Sequence, residues 1–138
     1  MKLCYARRKL PPSLNQRHGW NSRTRRFYCT QDVLNLRDDV MLCFHRSEIS
    51  KNVLEPYEGD VSLSYTICPP RSKTDVDNFA KVYLDALVHC KIIGDDAQVQ
   101  SIRGYRCQNC RNLKKGEKCR WAFHCELFFN SSSNFFNF

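Results

Sequence analysis

The chain has 138 residues, with 22 Lys and Arg against 14 Asp and Glu, and a formal net charge of +8. This length fits one domain with a single hydrophobic core. No apolar run approaches the roughly 18 residues of a membrane span, and no apolar segment of a signal peptide follows the charged residues 1–9. We therefore expect a basic cytoplasmic protein with no membrane partner, whose surface attracts polyanions such as nucleic acids.

The first part of the chain predicts a short strand and then a basic arm. Leu3 and Tyr5 alternate with charged or small neighbours, as in a strand. Pro11, Pro12 and Ser13 then impose an extended turn. Residues 15–28 mix arginines with aromatic rings, which suits a flexible arm that grips phosphates while its rings stack on unpaired bases; a polar loop with anchoring aromatics is the alternative. The arginines of this arm are Arg17, Arg23, Arg25 and Arg26.

A helix and a strand follow this arm. The helix is predicted from Thr30 or Asp32 to about His45, because four apolar residues recur at spacings of three, four and four. These residues are Val33, Leu36, Val40 and Phe44. Residues 61–67 then alternate between apolar and polar, which predicts a strand with one buried face.

The remainder predicts a second helix and two final strands. Residues 78–90 carry a helical apolar pattern, and Gly94 suits the exit turn. Strands are predicted at 98–106, with Val99 and Ile102 in the core, and at 120–129. We expect these two to pair as an antiparallel hairpin around a charged, cysteine-bearing loop. The fold class is therefore α+β, a single domain with a mixed β-sheet packed by helices.

Carboxylates are concentrated at the two ends of the second predicted helix. Asp75 and Asp77 precede it, whereas Asp95 and Asp96 follow it. Like charges held close together raise each other's pKa, and a divalent cation with oxygen ligands offsets that cost. The alternative is structural, since acidic residues favour helix starts and turns. We predict a metal site.

The sequences DVDNFAKVYLDAL and GDDAQV, with Pro11, Pro12, Ser13 and Asn15 upstream, resemble the RusA-like Holliday junction resolvases of bacteria and their phages. The resemblance covers about residues 10–129. It implies a homodimeric endodeoxyribonuclease that depends on Mg2+, with Mn2+ as a substitute. Such an enzyme resolves four-way DNA junctions by symmetric paired nicks, in recombination and repair. It would act beside the nucleoid, and some such enzymes are encoded by phages or prophages. Residues 1–129 would form this domain, and residues 130–138 a tail rich in Phe, Ser and Asn.

The resemblance also implies roles for individual residues. By position, Asp75, Asp77 and Asp96 would be catalytic and bind Mg2+. Lys81 would stabilise the transition state, or else pair with Asp77 or Asp85 along the helix. Basic residues predicted to contact DNA are Arg17, Arg23, Arg25, Arg26, Arg71 and Lys73.

One geometric question stays open in the sequence. A helix over residues 78–90 is about 20 Å long, so Asp75 and Asp96 lie at opposite ends of it. They can meet only if residues 92–96 fold back along the helix, or if the partner subunit supplies Asp95 or Asp96.

The cysteines allow a second metal. Cys107-x2-Cys110 has the spacing of a zinc knuckle, and Cys119 across the loop could join it. No fourth ligand is evident nearby, so another segment or a distorted hairpin would have to complete the site; free thiols or core cysteines are the alternative. The other cysteines, Cys68 among them, read as small apolar residues. A non-catalytic nucleic-acid-binding protein with a zinc-stabilised hairpin is therefore the alternative function.

Overall fold

The fold comes from a computed structural model, which describes residues 1–12, 18–53, 55–68, 76–108 and 119–130. The side chains of His18, Asp77 and Asn78 lie outside this description. The strands are β1 (Lys2–Arg7), β2 (His18–Asn21), β3 (Arg26–Cys29), β4 (Asp60–Ile67), β5 (Val99–Arg106) and β6 (Phe123–Asn130). The helices are α1 (Gln31–Arg46) and α2 (Ala80–His89), and short 3-10 turns occur at Ile49–Lys51, Val76–Phe79 and Asp96–Gln98.

The main sheet has the strand order β1-β6-β4-β5. The β4–β5 pair is parallel, and the other two pairs are antiparallel. The α+β class with a mixed sheet is therefore confirmed. Because β4 and β5 run in the same direction, the chain between them must cross from one end of the sheet to the other, and α2 forms part of that crossover.

The predicted hairpin of the two last strands is wrong, because β4 lies between β5 and β6. β6 pairs with β1 on one side and β4 on the other, and every second residue from Phe123 to Phe129 is buried on its core-facing side. In β5 no residue is fully buried, and Ile102 is exposed rather than part of the core. β5 lies at the edge of the sheet.

The core forms between the inner face of the sheet and the two helices. All four apolar residues predicted for α1 are buried, which confirms that helix. Arg7 of β1 donates a hydrogen bond to Asp32 in the first turn of α1 (2.6 Å) and so ties the edge strand to the helix. No helix among the described residues is long and apolar enough to span a membrane.

Residues 18–29 form an antiparallel β-hairpin, which we call the aromatic hairpin, rather than a flexible arm or a polar loop. Trp20 pairs with Phe27 across the strands, and their rings meet edge to face at 5.0 Å. The Asn21 side chain accepts hydrogen bonds from the N–H groups of Arg23 and Thr24, and so closes the turn. Such side-chain-to-backbone bonds are typical of asparagine in turns. Arg17 lies outside the described residues.

The exit turn of α2 is at Lys91, not at Gly94 as predicted. Lys91 has φ 59°, its N–H donates to the carbonyl of Val88, and the N–H of Ile92 donates to the carbonyl of Leu87. This pair of bonds is the Schellman motif, in which the residue after the helix adopts the left-handed conformation. Glycine is the usual residue there, so the lysine gave no signal in the sequence. The motif reverses the chain and directs the following residues back along α2.

We expect Lys91→Val to lower the free energy of unfolding by about 1–2 kcal/mol, because a β-branched residue is strained at positive φ. Lys91→Gly should leave it equal or higher, since glycine adopts this conformation readily. Urea denaturation would measure both variants. His89→Val, at the exposed last residue of α2, is the control and should change stability by less than about 0.5 kcal/mol. Equal effects of valine and glycine at position 91 would contradict the assigned turn.

Candidate active site

The reversal at Lys91 brings Asp96 against Lys81, in the first turn of α2. The ammonium of Lys81 donates a short hydrogen bond to Asp96 Oδ2, and its Nζ lies 3.1 Å from Asp85 Oδ1. Lys81 follows Asp77 by four residues, which is about one helical turn. Of the two arrangements that the sequence left open, the fold-back within one chain is therefore the one that places Asp96 beside the start of α2.

The turn that carries Asp96 is fixed by hydrogen bonds of the Asp95 and Gln98 side chains. Asp95 caps the 3-10 turn by accepting from the N–H of Ala97 (3.1 Å). Gln98 Oε1 accepts from the N–H groups of Gly94 and Asp95, and its Nε2 donates to the carbonyls of Tyr57 and Gly59. The carboxylate of Asp95 is thus part of the turn, whereas that of Asp96 is directed to Lys81.

The entry to α2 is held by β4 and β5. The hydroxyl of Tyr65 on β4 donates to the carbonyl of Val76 (2.7 Å), the residue before Asp77. Gly104 on β5 leaves room for this contact, because a Cβ there would lie 2.6 Å from the Tyr65 ring and 2.8 Å from Val76. The backbone of Asp77 is therefore anchored to the sheet, although its side chain is outside the described residues.

The lysine and the aspartate stabilise each other's charged forms. The hydrogen bond to Asp96, and next the one to Asp85, raise the pKa of Lys81. The hydrogen bond from Lys81, and next one with Asp95, lower the pKa of Asp96. At neutral pH Asp96 is therefore an ionised carboxylate and Lys81 a cation. Carboxylate oxygen is a donor that suits Mg2+, and an ammonium group suits a phosphate.

The structure brings together only part of the predicted site. Among the described side chains, Lys81 and Asp96 meet, and Asp85 joins them. The remaining predicted residues, Asp75, Arg17, Arg71, Lys73 and Cys110, lie outside the described residues. Arg23, Arg25 and Arg26 lie at the turn of the aromatic hairpin. Cys107 and Cys119 come together and are joined by Cys68.

Cys68 was assigned to the apolar residues, and that interpretation is not supported by its position. It is half-exposed and follows β4 directly, beside two other cysteines. Tyr65 and Gly104 were also missed as residues that position the site. The parallel pairing of β4 with β5, which would have revealed all three, is a contact between segments distant in sequence and leaves no local pattern.

A family model described as Endodeoxyribonuclease RusA matches residues 9–116. The chain belongs to the RusA endodeoxyribonuclease family. It is thus an endodeoxyribonuclease of the Holliday junction resolvase class, a hydrolase of phosphodiester bonds. The match spans both acidic pairs and Lys81, and favours the enzyme over the non-catalytic binding protein. A search of curated proteins gave no match.

We expect Lys81→Met to raise the pKa of Asp96 toward its ordinary value of 3.8, because the hydrogen bond that lowers it is lost. Carboxyl carbon chemical shifts, followed by NMR over a pH titration, would measure this. Lys51→Met, which removes a lysine 3.7 Å from Glu48 on the surface, is the control. An unchanged Asp96 titration in Lys81→Met would contradict the pair.

The same shifts fix the direction of pH dependence. Because the pKa of Asp96 is lower in the folded chain than in the unfolded chain, this residue stabilises the fold at pH values above its unfolded pKa. The stabilisation is lost as the pH falls through its folded pKa. Because the pKa of Lys81 is higher in the folded chain, this residue stabilises the fold at pH values below its unfolded pKa. The stabilisation is lost as the pH rises through its folded pKa. The pair therefore persists across neutral pH.

Proposed function

We propose that this resolvase cleaves four-way DNA junctions with Mg2+ held by Asp75, Asp77 and Asp96, and with Mn2+ as a substitute. The observation that supports this most is the contact of Asp96 with Lys81 at the start of α2. This contact brings the carboxylate of Asp96 to Lys81, which follows Asp77 by four residues along the chain. Three carboxylates gathered at this point would supply the oxygen ligands that a hard divalent cation prefers.

The mechanism assigns different tasks to the residues of the site. When bound, Mg2+ would acidify and orient the attacking water and offset charge on the leaving 3′ oxygen. Asp96 contributes an ionised carboxylate that needs no deprotonation at neutral pH. Lys81, kept cationic by Asp96 and Asp85, stabilises the additional negative charge of the phosphate in the transition state.

We propose further that the enzyme acts as a homodimer, since a four-way junction with two-fold symmetry requires two equivalent sites for matched nicks. Most apolar residues of α2 are buried in the chain's own core and so are not available for a dimer contact. The edge strand β5 instead exposes Ile102 and Tyr105. The groove of about 490 Å³ beside β5 is also lined by Lys81, so it belongs to the proposed active site and is left to the DNA. Sedimentation at monomer mass alone would contradict a dimer.

We propose from this substrate that the enzyme acts in recombination and repair, in the cytoplasm beside the nucleoid. The aromatic hairpin is the proposed contact with the junction. Trp20, Phe27 and Tyr28 expose 54%, 74% and 53% of their surfaces, although aromatic residues are usually buried. Exposed rings next to arginines suit stacking on unpaired bases and pairing with phosphates.

We expect Asp96→Asn to reduce nicking of a labelled synthetic four-way junction by about 100-fold or more, because one electrostatic group of the site is lost. Junction binding should persist. EDTA should abolish nicking by the unmodified chain, and added Mg2+ or Mn2+ should restore it.

Asp95→Asn is the matched control for this experiment. Asparagine caps a turn as well as aspartate does, so this variant should keep most of the nicking activity. Loss of activity in Asp95→Asn together with retention in Asp96→Asn would reverse the two assignments. Nicking without any divalent metal would contradict the metal site.

For the hairpin, we expect the triple variant Arg23→Gln, Arg25→Gln, Arg26→Gln to reduce the salt dependence of junction binding. Each phosphate contact contributes about 0.9 to the slope of log K against log salt, so the slope should fall by about two to three. Phe27→Ala should weaken binding by about 1–3 kcal/mol at an unchanged slope. Fluorescence anisotropy in EDTA would measure both, with Arg46→Gln on α1 as the control. Unchanged affinity in both variants would exclude the hairpin from the interface.

A further inference from the structure

Three cysteines converge at one end of the main sheet. Cys68 directly follows β4, Cys107 directly follows β5, and Cys119 precedes β6. Because β4 and β5 are parallel and β6 runs against them, the two strand ends and the start of β6 lie at the same end. Backbone hydrogen bonds fix this arrangement: the N–H of Cys107 donates to Ile67 (2.8 Å), and that of Cys68 donates to Ala122 (2.8 Å).

The three sulfur atoms lie at the separation of ligands to one metal ion. All are within 4.8 Å of one another, and Cys107 Sγ and Cys119 Sγ are 3.8 Å apart. Tetrahedral zinc with Zn–S bonds of about 2.3 Å places its sulfur ligands roughly 3.8 Å apart. A disulfide requires about 2.05 Å, so the observed distance fits a shared ion and not a covalent bond.

The chemistry of the donors selects the class of metal. Thiolates bind soft and borderline ions, whereas Mg2+ and Ca2+ require oxygen. Zinc takes a tetrahedral site without redox change, and the three cysteines would supply three of its four ligands. The half-buried position of all three cysteines suits a structural site.

We propose that Cys68, Cys107 and Cys119 bind a structural zinc ion that joins β4, β5 and β6 at this end of the sheet. The proposed site differs from the one predicted from sequence, because it includes Cys68, which directly follows β4. Cys110, the other predicted ligand, lies outside the described residues and is not part of the proposal.

The place of this site in the chain gives it a role in the enzyme. Cys68 begins the segment that leads to Asp75, and Cys107 and Cys119 bound the loop between β5 and β6. That loop carries four basic residues and one acidic residue between the two cysteines; the basic ones are Arg111, Lys114, Lys115 and Lys118. The zinc ion would fix the points at which both segments leave the sheet. This role rests on the proposed nuclease function, but the metal site itself does not.

The first test is the zinc content of the full-length chain, purified under reducing conditions and measured by elemental analysis. We expect about one zinc per chain. Cys68→Ser should reduce this to near zero, as should Cys107→Ser and Cys119→Ser. Cys43→Ser, at a half-buried cysteine of α1 that is not in the cluster, should retain the full content. Zinc near zero in the unmodified chain, or full zinc in Cys68→Ser, would overturn the proposal.

Two further measurements keep the test valid if the serine variants do not fold. Cobalt exchanged into the unmodified chain should give the visible absorption of tetrahedral cobalt–thiolate coordination, and absence of that absorption would overturn the site. Cys68→His, which offers a nitrogen ligand, should keep the metal with an altered cobalt spectrum, whereas an unaltered spectrum would exclude Cys68 as a ligand. Asp96→Asn should keep the full zinc content while it loses nicking, so failure of the zinc site and failure of the catalytic proposal are distinguishable.

Discussion

The contact between Lys81 and Asp96 is the constraint on which the candidate active site depends. α2 has 10 residues and separates its ends by about 15 Å, so its acidic neighbours meet only if the chain reverses. The ion pair itself is exposed, with 42% and 45% of the two side chains accessible, and exposed pairs contribute little to stability. The reversal is instead stabilised by burial of Ile92 and Ile93 and by the four hydrogen bonds of Gln98. The fold thus positions a carboxylate whose own interactions could not hold it there.

The parallel β4–β5 pair organises both candidate metal sites. Near its middle, Tyr65 and Gly104 hold the turn that leads to Asp77. At its end, Cys68 and Cys107 lie beside each other. A hard cation among carboxylates and a borderline cation among thiolates require different donors, so the two sites do not compete for one metal. In the proposed mechanism the basic surface attracts DNA and the carboxylates confine cleavage to one place on it.

Local periodicity predicted most helices and strands of the core well, but it did not predict which strands lie beside each other in the sheet. The four apolar residues of α1 and the alternation in β4 each define one buried face, which is a property of a single segment. The position of β4 between β5 and β6, the exposure of Ile102 and the convergence on Cys68 depend on segments distant in sequence. The turn at Lys91 was missed because a lysine at positive φ leaves no signal. The family and the proposed roles of Asp96 and Lys81 came from a motif of specific spacing, and the reversal brings these two residues of the motif into contact.

The most direct test of the account is a crystal structure of the full chain with Mn2+, in which anomalous scattering locates the ion. We predict a peak about 2.1 Å from an oxygen of Asp96, with Asp77 of the same chain as a second ligand and Lys81 beside it. A peak bound by Asp96 of one chain and Asp77 of another would contradict the reversal as the device that completes the site. No peak near Asp96 under conditions that support nicking would contradict the metal site itself.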